Sequence, residues 1–244
     1  MSTLNSRAQR LCIWCGPVMV IGWMVAFVFL VKFVPPPSPA DTAQQIADRF
    51  ATHTNLIRLG LVISLFSCAL LVPYCAAIAA QMRRIEGPRS VLAETQLVSG
   101  GLLCIEFLIP FAIWQGALFR VREQDPRTIQ MLNDVAWMVF LFVIASACVM
   151  AASMGVAILM DRGVRPVFPR WTGYYNVWVA AVWVPAAVIP FFKTGPFAWN
   201  GLFAFWIPLS VFFTWFAVTT WMLLRAVADE ERSSARQPAL AGSV

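Results

Sequence analysis

Six stretches of this chain are long and apolar enough to cross a bilayer, and no other feature limits its fold as much. A spanning helix needs about 20 mostly apolar residues, and in hydrocarbon its backbone N–H and C=O groups must be paired within the segment. The stretches lie at about 11–34, 56–80, 95–118, 135–160, 171–192 and 202–224. They take up well over half of the 244 residues, so no room is left for a sizeable extramembrane domain. Only 12% of the residues are charged, against about 25% in an average soluble domain. That excludes a disordered chain and a nucleic-acid binder working through a charged surface. The expectation is an all-α polytopic membrane protein with six transmembrane helices in one bundle over residues 1–227. The polar tail, 228–244, is expected to be disordered and cytoplasmic.

Charge placement sets the expected orientation. With the N-terminus inside, eleven of the 18 basic residues fall on the inner side. They occur as Arg7 and Arg10, then Arg83, Arg84 and Arg89, then Arg162, Arg165 and Arg170, and finally Arg225, Arg232 and Arg236. Every inner loop is therefore basic, as the positive-inside rule requires, and six spans return the C-terminus to the same side. The net charge of +6 needs no acidic ligand on this account. The first apolar run is 24 residues long, beyond the roughly 7–15 of a signal h-region, so it reads as a permanent span.

The connections carry local signals. Pro35-Pro36-Pro37-Ser38-Pro39 ends span one. Ser38 then reads as an N-cap with Asp41 reaching back. Ala43, Ile46, Ala47, Phe50 and Ala51 follow at helical spacing, predicting a short amphipathic helix on the outer membrane surface. Asp125-Pro126 predicts a helix start ahead of span four. A straight helix from there to Met160 would be on the order of 50 Å long. Ala147, Ala151 and Gly155 form a small-residue face on that span, expected to pack within the monomer. Seven of the 11 tryptophans lie from Trp171 onward, and Trp178, Trp183 and Trp215 are expected deeper than the interfacial belts.

Glu106 is the strongest chemical candidate. It stands eleven residues into span three, near mid-membrane, where an ionisable group is costly and points to function. Without a cation at that depth, the neutral acid is expected. Pro110 has no N–H, so the Glu106 carbonyl loses its helical partner. Ser99 extends the polar stripe. A second candidate region is the outer end of spans four to six, with Asn133, Asp134, Lys193, Trp199 and Asn200 near prolines 185, 190 and 208. Proline-interrupted helices are found at transporter binding sites. Lys193 could pair with Asp134.

Other chemistries have no support. His53 is the single histidine, so multi-histidine metal or haem ligation has no basis, and no cofactor is expected. Cys12 and Cys15 form a C-x-x-C outside any thioredoxin-like context. No hydrolase motif is present.

Pro166-Val167-Phe168-Pro169-Arg170-Trp171-Thr172-Gly173-Tyr174 and the Phe191–Gly201 connection, continuing through Phe205-Trp206, stand together with Ile85-Glu86-Gly87 and Leu132-Asn133-Asp134. This set resembles a group of bacterial six-span integral membrane proteins with no assigned reaction. The resemblance implies the bacterial inner membrane and supplies no site residues.

Three functional classes follow. The first is binding or transport of a small lipophilic or protonatable molecule, with Glu106 as a buried proton or ligand site. The second is an accessory subunit that pairs with a membrane protein partner or with its own copy. The third is an intramembrane enzyme, weakened by the lack of a second acid/base group at matching depth. The lipid bilayer is a partner in all three, and nucleic acid in none.

Overall fold

The chain folds as an all-α bundle of six long apolar helical spans. The structure is a computed structural model describing residues 3–241, with side chains described for 5–234. The helical spans are Asn5–Val31, Thr54–Glu86, Val91–Phe119, Pro126–Met160, Arg170–Phe191 and Leu202–Ser234. Most are longer than the apolar runs in the sequence, because polar residues at the ends extend the helices past the hydrocarbon.

Five spans are not uniform α-helices, and prolines explain much of the irregularity. Span one comprises α1 (Thr3–Val25) and a π-helical turn, Ala26–Val31. Lys32, at φ 59°, ends it in the left-handed region. Span two divides into α3 (Thr54–Ala69) and α4 (Leu71–Glu86). Pro73 lacks an N–H and crowds the Ala69 carbonyl, so the break falls at Leu70. Span three is continuous as α5 (Val91–Phe119), despite Pro110. Span four divides into α6 (Pro126–Phe142) and α7 (Ala145–Met160). The single straight rod expected there is therefore two helices. Span five runs as α8 (Arg170–Trp183) and tightens into a 3₁₀ segment, Val184–Phe191, around Pro185 and Pro190. Span six opens with a π-helical turn, Leu202–Trp206, before α9 (Ile207–Ala241).

The short amphipathic helix forms as α2 (Ala43–Thr52), with Ile46, Ala47 and Phe50 buried. Its cap differs from the expected one. Thr42 is the N-cap and forms a capping box with Gln45, whereas Ser38 and Asp41 close a turn just before it. Thr42 wins because its hydroxyl reaches Gln45 N while the Gln45 side chain returns to Thr42 N at 2.8 Å. Asp125 caps α6 as expected, accepting from Arg127 N at 2.8 Å.

Both termini lie at one end of the bundle, where Arg10 on α1 pairs with Glu231 on α9 at 2.8 Å. Arg84 joins the same end, paired with Glu230 at 3.4 Å and bonded to the Ala226 carbonyl. The polar segment after Val227 thus continues α9 rather than leaving the bundle there. Its residues 242–244 lie outside the described residues. At the opposite end Arg58 donates to the carbonyls of Leu118 (2.6 Å) and Phe119 (3.0 Å). It satisfies the last turn of α5 and places a cation at the negative end of that helix.

The small face of span four packs inside the monomer, as expected. Ala147 and Ala151 are buried, and a Cβ on Gly155 would lie 2.9 Å from the Gly173 carbonyl of α8.

Candidate functional site

Glu106 is not buried, which corrects the expectation of an enclosed acid. Among the described residues no Asp or Glu is buried, and Glu106 is half-buried. The cause is its angular position on α5. Ser99, Leu103, Cys104 and Phe111 make the inner face, while Leu102, Ile105 and Ile109 face outward. Glu106 stands on the flank between them.

Its carboxylate nevertheless has a built environment. Ser146 Oγ donates to Glu106 Oε2 at 2.5 Å. Ser146 is the second residue of α7, directly after the break at Val143-Ile144. The opening N–H groups of a helix lack intrahelical partners, and the helix dipole favours negative charge at that end. A mid-span carboxyl thus meets the start of a half-helix, and the proline-freed carbonyl of Glu106 lies at the same level of α5. Ser99 is buried about 10 Å further along the same helix.

A cleft opens beside this pair. Phe107 and Ile144, chain neighbours of the Glu106–Ser146 bond, line it with Trp23, Phe140, Leu209 and Phe212. Its walls are almost wholly apolar and come from spans one, three, four and six. The free volume is about 60 Å³, room for a few water-sized groups or one slender segment. A second, smaller apolar hollow shares Phe107, Ile144 and Phe212 and continues toward Trp183 and Trp215. The rings are in mutual contact: Trp23 stands 6.0 Å from Phe140, 5.9 Å from Phe212 and 6.5 Å from Phe107.

One residue of this wall carries an unsatisfied polar atom. Trp23 is buried, and its Nε1 finds no hydrogen-bond partner among the described residues. Trp137 Nε1, buried outside the cleft lining, is likewise without a partner among the described residues, whereas four other deep indoles are paired. Trp114 Nε1 donates to Asn133 Oδ1, Trp183 Nε1 to the Pro208 carbonyl, Trp199 Nε1 to the Pro37 carbonyl and Trp215 Nε1 to Asn176 Oδ1. Buried indole N–H groups ordinarily find an acceptor.

The second candidate region does not converge with Glu106. Asn133 is buried and bonded both to Trp114 (3.3 Å) and to Asp134 (3.3 Å). Trp114 is eight residues from Glu106, about 12 Å along α5. Asp134 is half-buried, and Lys193 is exposed and makes no ion pair among the described residues. Trp199 is buried, stacks on Trp137 at 6.1 Å and ties its loop to Pro37 at 2.7 Å. Asn200 beside it is half-buried. Of these residues, Trp199 is the one that fastens the connection between spans five and six to the rest of the fold.

Trp178 is half exposed on the bundle's outside, whereas Trp183 and Trp215 are deep. The aromatic wall of the cleft lies instead on spans one, three, four and six, which tryptophan density along the chain does not reveal. Trp23 gives no sequence signal of its own.

No known protein-family model, curated protein or solved structure matches this chain. The resemblance drawn from its loop motifs therefore acquires no family, and the chemistry rests on the geometry alone.

Proposed function

We propose that the protein binds a small lipophilic molecule within the membrane, in the apolar cleft bounded by Trp23, Phe107, Phe140, Ile144, Leu209 and Phe212. The carrying observation is Trp23: it lines an otherwise apolar cavity, and its buried indole N–H has no acceptor among the described residues. Ligand sites combine apolar walls with a few placed polar groups, and an acceptor on the ligand would satisfy this one. The cleft holds a slender chain or a single ring, with the rest of the molecule in the surrounding lipid. Glu106 and Ser146 then act at its edge, where the carboxyl can take a protonated group of the ligand or exchange a proton during transport. At the far end of spans four to six, Asn133 and Trp199 serve structural bonds, to Trp114 and to the Pro37 carbonyl, rather than the ligand. The membrane is the bacterial inner membrane with both termini cytoplasmic, a reading supported by the arginines gathered at the termini-bearing end.

Native mass spectrometry of protein extracted gently from its own membranes tests this. The wild type is expected to carry a small molecule. Trp23→Phe, which keeps a ring and removes the donor, should weaken its retention roughly three- to tenfold. Glu106→Gln should weaken it further if the molecule carries a cationic group. Absence of any small molecule from the wild type, or equal retention by Trp23→Phe, overturns the assignment.

A second reading has one observation behind it. Glu106 stands half exposed at mid-span beside outward-facing Leu102, Ile105 and Ile109. A helix of a partner protein, or of a second copy, would cover a carboxyl that lipid solvates poorly. The same spectra decide this: a second polypeptide at fixed stoichiometry, lost with Glu106→Gln, makes the protein an accessory subunit.

A further inference from the structure

Four arginines meet in one hollow at the termini-bearing end of the bundle. Arg84 comes from the end of α4, Arg165 from the loop between α7 and α8, and Arg225 and Arg232 from α9. The hollow has a volume of about 400 Å³ and also presents Asp229 and Ser233.

Its charges do not balance. Arg84 is held by Glu230 at 3.4 Å. Arg225 and Arg232 share one carboxylate, Asp229, at 3.8 Å and 3.4 Å on its two oxygens. Arg165 is exposed and has no ion pair among the described residues. Two positive charges are thus left over in a concave site. The loop that brings Arg165 is a fixed turn: Asp161 accepts from Gly163 N and Val167 N, both at 2.9 Å, and Phe168 is buried beneath it. The positive-inside rule accounts for basic loops, but it does not require arginines from three separate elements to line one cavity.

The cavity sits where a headgroup would. Trp171 and Trp221 pair at 6.0 Å, half exposed, as an interfacial belt, and Arg225 lies over the Trp221 ring at 5.7 Å. Guanidinium forks match phosphate oxygens in geometry as well as charge. Basic pockets of this kind between spanning helices bind phosphate-bearing headgroups. We propose that this hollow is a binding site for a phosphate-bearing anion, held by the exposed Arg165 and Arg232 with Arg225 and Arg84 completing its lining. The phosphate can come from a membrane phospholipid or from a soluble molecule.

The test uses the full chain, delipidated in detergent and read by native mass spectrometry. It is titrated with cardiolipin, with phosphatidylcholine, and with inorganic pyrophosphate as competitor. Arg165→Gln/Arg232→Gln alters two exposed side chains and leaves the fold intact, which an unchanged Tm verifies. Arg7→Gln/Arg89→Gln removes the same charge outside the hollow. The expected result is preference for cardiolipin over phosphatidylcholine, weakened about tenfold or more in the first variant. The control should lose less than about twofold. Displacement of cardiolipin by pyrophosphate identifies a soluble phosphate ligand, and failure to displace it identifies a lipid headgroup; both support the site. Equal losses in the two variants, or no loss in either, overturn it.

Discussion

Asn176 shows what a buried polar side chain does in this bundle. Its Nδ2 donates to the Thr172 carbonyl and its Oδ1 accepts from Trp215 Nε1, each at 2.8 Å. Asn133 similarly serves Trp114. Both amides fix large aromatic residues in one orientation by satisfying an indole that cannot reach water. Asn176→Leu keeps the volume and strands the Trp215 N–H. The expected loss of stability is about 0.6–1.7 kcal/mol, the range seen for hydrogen bonds within membranes. Equilibrium unfolding in detergent measures it; a variant as stable as wild type would show that Trp215 is held by packing alone. Trp23 and Trp137 are the exceptions to this pairing among the described residues, and of the two Trp23 is the one that lines the cleft assigned to a ligand. At this scale the sequence was half legible. Glu106 announces itself as an acid in mid-span. Its partner Ser146, 40 residues away, and the unpaired Trp23 N–H arise only from how helices meet.

The elements divide by whether their irregularities have a local cause. Pro73, Pro185 and Pro190 each remove an N–H from a span, and the helices break or tighten there. Such breaks are written in the sequence. The interruption at Val143-Ile144 is not, since neither proline nor glycine stands there. The new helix start it creates is met by Glu106 of a different span, so the break and the acid are explained together only in three dimensions. A close helix contact on span four was readable from Ala147, Ala151 and Gly155, because small residues at four-residue spacing let two backbones meet, but its partner α8 was not. Gly155 bears the tightest part of that contact: a Cβ would come 2.8 Å from Val177 Cγ2 and 2.9 Å from the Gly173 carbonyl. The second of these is backbone and cannot step aside without moving α8. Gly155→Val is therefore expected to cost about 1–3 kcal/mol and to lower the Tm. An unchanged Tm would mean that the two helices can separate at no cost.

At the scale of the whole molecule, the two ends are built differently. The termini-bearing end is a polar clasp, in which Arg10–Glu231 joins α1 to α9 and Arg84–Glu230 joins α4 to α9. The opposite end is irregular and aromatic, with the 3₁₀ and π-helical segments and a loop fastened by Trp199 to Pro37. Insertion reads the charge difference. Arginines near the ends of spans stay on the cytoplasmic side, drawn also by the negative surface potential of that leaflet. On the proposed orientation, Lys193 and the arginines near α5 and α6 oppose this bias without reversing it. The clasp adds a second constraint, because α9 cannot pair with α1 and α4 unless both termini are on one side. Cysteine labelling tests both together. Thr194 and Ser233 are exposed at opposite ends, and the native cysteines lie within the spans. In intact cells, Thr194→Cys should react with a membrane-impermeant maleimide, and Ser233→Cys should react only after the cells are opened. The reverse pattern would place the arginine hollow outside, while labelling of both positions in intact cells would mean mixed orientation and a charge bias too weak to set the topology.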